Sequence, residues 1–216
     1  AGVRRAALLS VVGAGPGAPP SLGAYYHLEQ YLASVWQADH AVVLRTYFYQ
    51  QNLLLWAPDA QSTGELRLPI ASGCFAPLYE ADVAEVVASL ATDPALAAVF
   101  ATGRPLNLTG PLRLSGREVA TAASRAVGPP GLGFEEVDKA AAARTLEAGG
   151  KLDPSEAALL LDLLKLQTRP EACKISPSAD FQAITGRVPT DIEVFFQENA
   201  AAFRRGGAAR HRVLYE

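Results

Sequence analysis

The first fifty residues constrain the fold more than any other part of the chain. Residues 4–12 (RRAALLSVV) form an apolar run stopped by the Gly/Pro stretch of residues 13–20 (GAGPGAPP). Residues 22–36 follow with Leu28, Tyr31, Leu32 and Val35 at helical spacing, behind Ser21 as a candidate N-cap. Residues 40–48 (HAVVLRTYF) are a second apolar, β-branched run. Strand, helix and strand joined by short links make a parallel pair with a right-handed crossover. The first run does not alternate, which predicts a strand buried on both faces. The class that follows is α/β.

Downstream, residues 51–56 read as a short helix, residues 58–64 as a polar loop and residues 65–70 (ELRLPI) as an edge piece limited by Pro69. Helices are expected over residues 81–90 and 94–100, and a strand over residues 105–109. Ser115 with Glu118 makes a capping box for a helix running to Val127, and Asp153 with Pro154 and Glu156 opens another running to Leu166. Between them lie a strand over residues 134–137 and an Ala-rich helix over residues 139–147. Thr190 is the candidate cap of a last helix over residues 192–203, and an Arg/Gly tail covers residues 204–216.

Composition removes several function classes. Lys plus Arg number 19 against 22 Asp plus Glu, a net charge of −3, so no basic surplus exists to neutralise nucleic-acid phosphates. The two cysteines, Cys74 and Cys173, have no C-x-x-C partner, which argues against a disulfide framework or a cysteine zinc site and fits a reducing compartment. His27, His40 and His211 form no metal-binding spacing, so no metal is expected. Charges or prolines interrupt every apolar stretch before the ~20 residues that a membrane span needs. With no leader evident, the cytoplasm is the default location. Methionine is absent from the sequence, which suggests that the chain begins inside a larger domain.

Residues 13–18 (GAGPGA) match G-x-G-x-x-A, in which glycines let the backbone approach a pyrophosphate at a helix N-terminus. Against this, Pro16, Pro19 and Pro20 delay the helix, and the second strand ends in Arg45-Thr46-Tyr47 rather than an acidic ribose ligand. A plain Gly/Pro turn is the competing reading.

Seven motifs in order carry a family resemblance. They are AGVRRxxxLS (residues 1–10) with HLEQYL (27–32), VLRTYFYQQN (43–52), YEADVAEVV (79–87), LNLTGP (106–111), DFQAITGRVP (180–189) and FxxEN (195–199). The chain resembles the NmrA-like proteins, atypical members of the short-chain dehydrogenase/reductase superfamily, and is most similar to the ergot-alkaloid (festuclavine or agroclavine) dehydrogenase branch. The resemblance implies an incomplete Rossmann-type parallel sheet with a helix-rich C-terminal substrate-binding part. Residues 1–57 would be the C-terminal portion of the NAD(P)-binding fold and residues 58–203 its remainder with the substrate-binding part. The first strand here would be the family's fifth. Four strand–helix units with the glycine loop, on the order of 120 residues, would then be missing upstream.

The resemblance also implies site residues. Ser10 corresponds to the superfamily's catalytic serine; the other reading is a hydroxyl satisfying a strand-end backbone group. Tyr25 and Tyr26 lie where the superfamily carries Tyr-x-x-x-Lys, a phenol proton donor with an ammonium to lower its pKa. Here the residues four further on are Glu29 and Gln30, so the lysine is missing. Tyr47, Phe48 and Asn52 match the segment lining the nicotinamide end of the cleft, with core packing as the alternative. The implied catalytic set is Ser10, Tyr25 and Tyr26. The implied set for NADP(H) or NAD(H) is Ser10, Val11, Val12, Tyr25, Tyr47, Phe48 and Asn52. Glu29 and Asp82 are expected to pair within the fold, and His27 to pack or face solvent. The leucines at residues 159–161 and 163–164 read as core or as a partner-facing surface.

Three functions follow. The chain is an NAD(P)H-dependent oxidoreductase of a small organic molecule, a non-catalytic NADP(H) sensor that binds a protein partner, or an inactive remnant.

Overall fold

The computed structural model describes residues 2–70, 72–150, 152–167, 169 and 177–205. Cys173, His211 and the tail from residue 206 onward lie outside them. In chain order the elements are β1 (Ala6–Val11), α1 (Pro20–Val35), β2 (Ala41–Thr46), α2 (Ala57–Thr63), β3 (Glu65–Leu68), β4 (Cys74–Phe75) and α3 (Glu80–Thr92). Then come α4 (Pro94–Phe100), β5 (Leu106–Leu108), β6 (Leu114–Ser115), α5 (Gly116–Val127), β7 (Gly133–Glu136) and α6 (Lys139–Ala148). The last are α7 (Pro154–Gln167), α8 (Asp180–Thr185), α9 (Ile192–Glu198) and α10 (Ala200–Phe203).

The fold is mixed α/β. β1, β2 and β5 form a parallel sheet in that order, with Ser10 opposite Arg45 and Thr46 opposite Leu108. Two smaller ladders flank it: β3 runs parallel to β7, and β4 antiparallel to β6. Val42 and Leu44 of β2 pack with Leu106 and Leu108 of β5 against Val83, Val86 and Leu90 of α3. A larger core gathers α2, α5, α7, α9 and α10 around Trp56, Phe75, Phe195, Phe196 and Phe203. Both capping boxes form, Ser115 with Glu118 and Asp153 with Glu156, because each side chain there bonds an otherwise unpaired N–H of the first turn.

The two margins of the parallel sheet differ. Along β5, Asp180 of α8 accepts a hydrogen bond from the outward-facing Asn107 N–H at 2.8 Å while holding Arg104 at 2.8 Å. A carboxylate on the ladder groups closes that edge to further pairing. β1 forms the other margin and, among the described residues, pairs only with β2.

This placement corrects the expected burial of β1. Ala7 and Leu9 are exposed, Leu9 by 47%, and only Ser10 and Val11 are buried, because a strand at a sheet margin is covered from one side. The apolar stripe of α1 is likewise not a core face. Leu28, Tyr31 and Val35 face outward, whereas Leu22 and Glu29 are buried. Arg45 of β2 draws Glu29 against the sheet with two hydrogen bonds, and that rotation sets the exposed side.

Two further local differences have clear causes. Of residues 58–64, expected as loop, 58–63 belong to α2, where Pro58 sits in the first turn and Gly64 caps the helix in the left-handed region at φ +79°. The helix expected over residues 192–203 is broken at Asn199 into α9 and α10, and α9 is capped by Asp191 rather than Thr190, whose backbone and hydroxyl both bind Asp82 instead. Ser21 does not cap α1 either; its hydroxyl reaches Asp162 on α7 at 2.7 Å.

The glycine loop turns at Gly13, where φ is +87°. A Cβ there would lie 2.2 Å from the Cδ2 of Leu166 on α7, so the space that a pyrophosphate cradle leaves to its ligand holds a leucine methyl. Gly13 serves the turn and this close helix approach.

Candidate active site

A cavity of about 230 Å³ opens at the carboxyl ends of β1 and β2, the place where open α/β sheets bind ligands. β1 brings Ser10 and Val11, the first turns of α1 bring Tyr25, and the segment after β2 brings Tyr47, Tyr49 and Asn52. α7 closes the opposite wall with Leu159, Leu160 and Leu163, and Glu156 stands at its start. The helix is held there by Asp162, which accepts from Ser21 of α1 and from Lys139 of α6, both at 2.7 Å. A second groove of about 560 Å³ shares Leu9, Tyr49 and Asn52 with the first and runs between β1 and the Val83–Val87 face of α3.

Of the residues singled out by sequence, Ser10, Val11, Tyr25, Tyr47 and Asn52 come together around the cavity. Three do not line it. Val12 packs beside Val11, Ala14 and Leu22, with its N–H on the Thr46 carbonyl at 3.0 Å. The Tyr26 ring lies against His27 at 5.9 Å, and His27 is exposed. Phe48 is fully buried between Trp56 and Phe75.

Beneath the cavity floor lies an ionic network. The Ser10 hydroxyl donates to Glu29 Oε1 at 2.5 Å, and Arg45 donates to both Glu29 oxygens at 2.9 and 2.6 Å. The bond to Glu29 pushes the Arg45 pKa up, so the guanidinium stays charged. Since a carboxylate accepts only, the Ser10 proton is committed to Glu29 and its remaining lone pairs can only accept. Glu29 pairs within the fold, as expected, and so does Asp82, which takes hydrogen bonds from Arg187 and Thr190.

Burial raises the Tyr47 pKa above the ordinary value near 10, while the neighbouring Arg113 guanidinium, within hydrogen-bonding reach, pulls the other way. Sequence reasoning missed Arg113. The repeated leucines of residues 159–164 were the available signal for the wall. Arg113 has no local signal, because a loop brings it to the site. Among the described residues no three His, Cys, Asp or Glu side chains are placed to hold a metal ion, and no single helix is long and apolar enough to cross a membrane.

No family model matches the chain. It is 30% identical over 131 residues to an NAD(P)H azoreductase of Xenophilus azovorans, covering 60% of this chain and 43% of that protein. It is 30% identical over 160 residues to a (4-alkanoyl-5-oxo-2,5-dihydrofuran-3-yl)methyl phosphate reductase of Streptomyces griseus, covering 74% and 53%. The chain therefore spans about half the length of the curated relatives it matches. Among solved structures it is similar to an NADPH-dependent quinone oxidoreductase of Escherichia coli (TM-score 0.71, 19% identity, 92% of this chain and 68% of that one). A triphenylmethane reductase of Citrobacter sp. is similar at TM-score 0.70 and 16% identity, over 92% and 65%. The fold is Rossmann-like.

Proposed function

We propose that this chain is the substrate side of an NmrA-like, NAD(P)H-dependent oxidoreductase that reduces a small, flat, conjugated molecule. The observation that carries the reading is the cavity at the ends of two parallel strands, walled by three tyrosines and the leucines of α7. Aromatic and aliphatic walls suit a conjugated, largely apolar substrate of the azo, quinone or triphenylmethane kind that the similar proteins are named for. The division at residue 57 belongs to the same proposal, as does the ergot-alkaloid branch.

The nicotinamide end of NAD(P)H suits this chain better than the pyrophosphate does. Ser10, Val11, Tyr25, Tyr47 and Asn52 would border the ring, whereas Gly13 is covered by Leu166. When bound, a reduced nicotinamide supplies hydride. The chain's own residues orient the acceptor, exclude water through the α7 wall and hold the proton that follows. The phosphate-binding half of the domain would lie along β1, which is supported by its open margin, the exposed Leu9 and the outward Leu28, Tyr31 and Val35.

A second reading rests on one observation. Glu29, four residues after Tyr25, replaces the lysine of the reductase pair and is locked to Arg45, which suits an NADP(H) sensor without turnover. The test uses the protein as its source makes it: NADPH titration followed by intrinsic fluorescence, and NADPH-dependent bleaching of an azo dye or reduction of a quinone. Binding with turnover supports the oxidoreductase. Binding with no turnover of either acceptor class favours the sensor, and the loss of both overturns the proposal.

A further inference from the structure

Arg113 is held in the loop between β5 and β6 by contacts on both sides. Before it, Gly110 presses on the β4–α3 connection: its N–H donates to the Ala76 carbonyl at 3.1 Å, and a Cβ at 110 would lie 2.1 Å from the Pro77 oxygen. After it, Leu114 pairs with Phe75 in the short antiparallel ladder. Tyr47 is fixed as firmly, with its N–H on the Leu108 carbonyl at 3.2 Å and the next ring, Phe48, edge-on to Phe75 at 5.6 Å. Two rigid backbones thus bring the Arg113 guanidinium within hydrogen-bonding reach of the Tyr47 phenol.

A guanidinium only donates, so the Tyr47 oxygen must accept, and its own O–H is left to point elsewhere. Tyr47 lines the cavity. Tyr25 lines it too, and the residue one helical turn on is Glu29, which is committed to Ser10 and Arg45.

We propose that Tyr47 is the proton donor of this site and that Arg113 is its positioning cation, in the role that the missing lysine of Tyr-x-x-x-Lys would fill. The proposal rests on the oxidoreductase reading above and names the residues that complete it. A bound reduced nicotinamide would supply hydride to the electrophilic atom of a carbonyl, enone or azo acceptor, and the electron pair of the acceptor's π bond would pass to the heteroatom. The Tyr47 O–H bond breaks to protonate that heteroatom, the phenolate remains beside the guanidinium, and a proton from water restores the phenol. The acceptor is reduced by two electrons and NAD(P)H is oxidised by two.

The test compares the wild type with Tyr47→Phe, Arg113→Lys and Arg113→Gln. The Tyr47 titration is read as the ultraviolet phenolate difference between each Tyr47-containing protein and Tyr47→Phe in the same background. Losing the cation should raise that titration by roughly one unit or more in Arg113→Gln, with Arg113→Lys between it and the wild type. In turnover, Tyr47→Phe should lower kcat by about 10²–10⁴-fold with KM little changed. The alkaline limb of the kcat profile should move up in Arg113→Gln, while NADPH affinity stays the same. An unmoved titration in a folded Arg113→Gln overturns the pairing. Wild-type kcat in Tyr47→Phe overturns the donor role. If no protein in the set binds NADPH, the oxidoreductase reading falls and the donor role with it, while the phenolate titration still reports on the pair.

Discussion

Neutralising Glu29 tests whether the floor of the cavity is held by charge. The side chain is 6% exposed and accepts three hydrogen bonds, one from Ser10 and two from Arg45, whose own side chain is 24% exposed. Glu29→Gln keeps the shape and one oxygen for the Ser10 hydroxyl and the Arg45 Nε–H, but it turns an amide NH₂ toward the Arg45 Nη2–H. One charge-assisted bond is lost, at about 1.5–3 kcal/mol, and the other is left with a neutral acceptor. Arg45 regains water on its exposed side, so the net cost should be about 2–3 kcal/mol. Arg45→Gln leaves a buried carboxylate with only Ser10 and should cost about 3–4 kcal/mol. In the double variant the two amides can bond each other, giving a coupling energy of about 2 kcal/mol. The assay is equilibrium urea unfolding of the four proteins, with the slope checked for constancy. A coupling below about 0.5 kcal/mol, the scatter of independent sites, would refute the network as a structural unit. The same reasoning predicts that Glu29→Lys, although it writes Tyr-x-x-x-Lys into the sequence, sets an ammonium against Arg45 and destabilises the fold rather than creating a reductase dyad.

Further outcomes follow from other contacts. Gly13→Ala should cost about 1–2 kcal/mol for the left-handed backbone alone, plus whatever Leu166 loses by moving aside, and the second part should vanish in a Leu166→Ala background, read by the same unfolding assay. Hydrogen bonding to Glu198 pushes the Tyr79 pKa up to about 12. A raised pKa means stability that is complete below the ordinary value near 10 and is lost as pH climbs from there through about 12, so Tyr79→Phe should flatten the alkaline side of the Tm profile. Asp162 has its pKa lowered: burial opposes ionisation, but hydrogen bonds from Lys139 and Ser21 and the charges of Lys139 and Lys165 outweigh it. Its contribution should be complete above the ordinary Asp range and fade as pH falls through the depressed value, and Asp162→Asn should remove that acid slope. Leu9→Lys on the open margin should leave Tm nearly unchanged and reduce any self-association seen by sedimentation velocity.

Much of the architecture was legible because it is written locally. The β1–α1–β2 unit, the two capping boxes and the short edge strand β3 each carry their signal within a few residues. What failed was burial, which depends on neighbours. Periodicity put Leu28, Tyr31 and Val35 on one face of α1, but it cannot say whether the sheet or solvent meets that face. The buried side is decided by the Arg45–Glu29 pair, a partnership across sixteen positions of sequence. α2 was hidden by Pro58 and Gly64, which read as loop residues although they begin and end a helix. In the site, strand-end residues were found from motif order, whereas Arg113 lies more than sixty positions and the α7 leucines more than a hundred positions away from Tyr47.

The contrast between the two margins of the parallel sheet gives the molecule a direction of growth. Asp180 seals the β5 side, so any strand that widens the sheet can only be laid beside β1, in contact with the row that ends at Ser10 and Val11. The cavity and the neighbouring groove sit on that same seam. Whatever occupies the seam becomes a wall of the pocket, and its arrival or departure would reshape the binding surface with no rearrangement of the residues already in place.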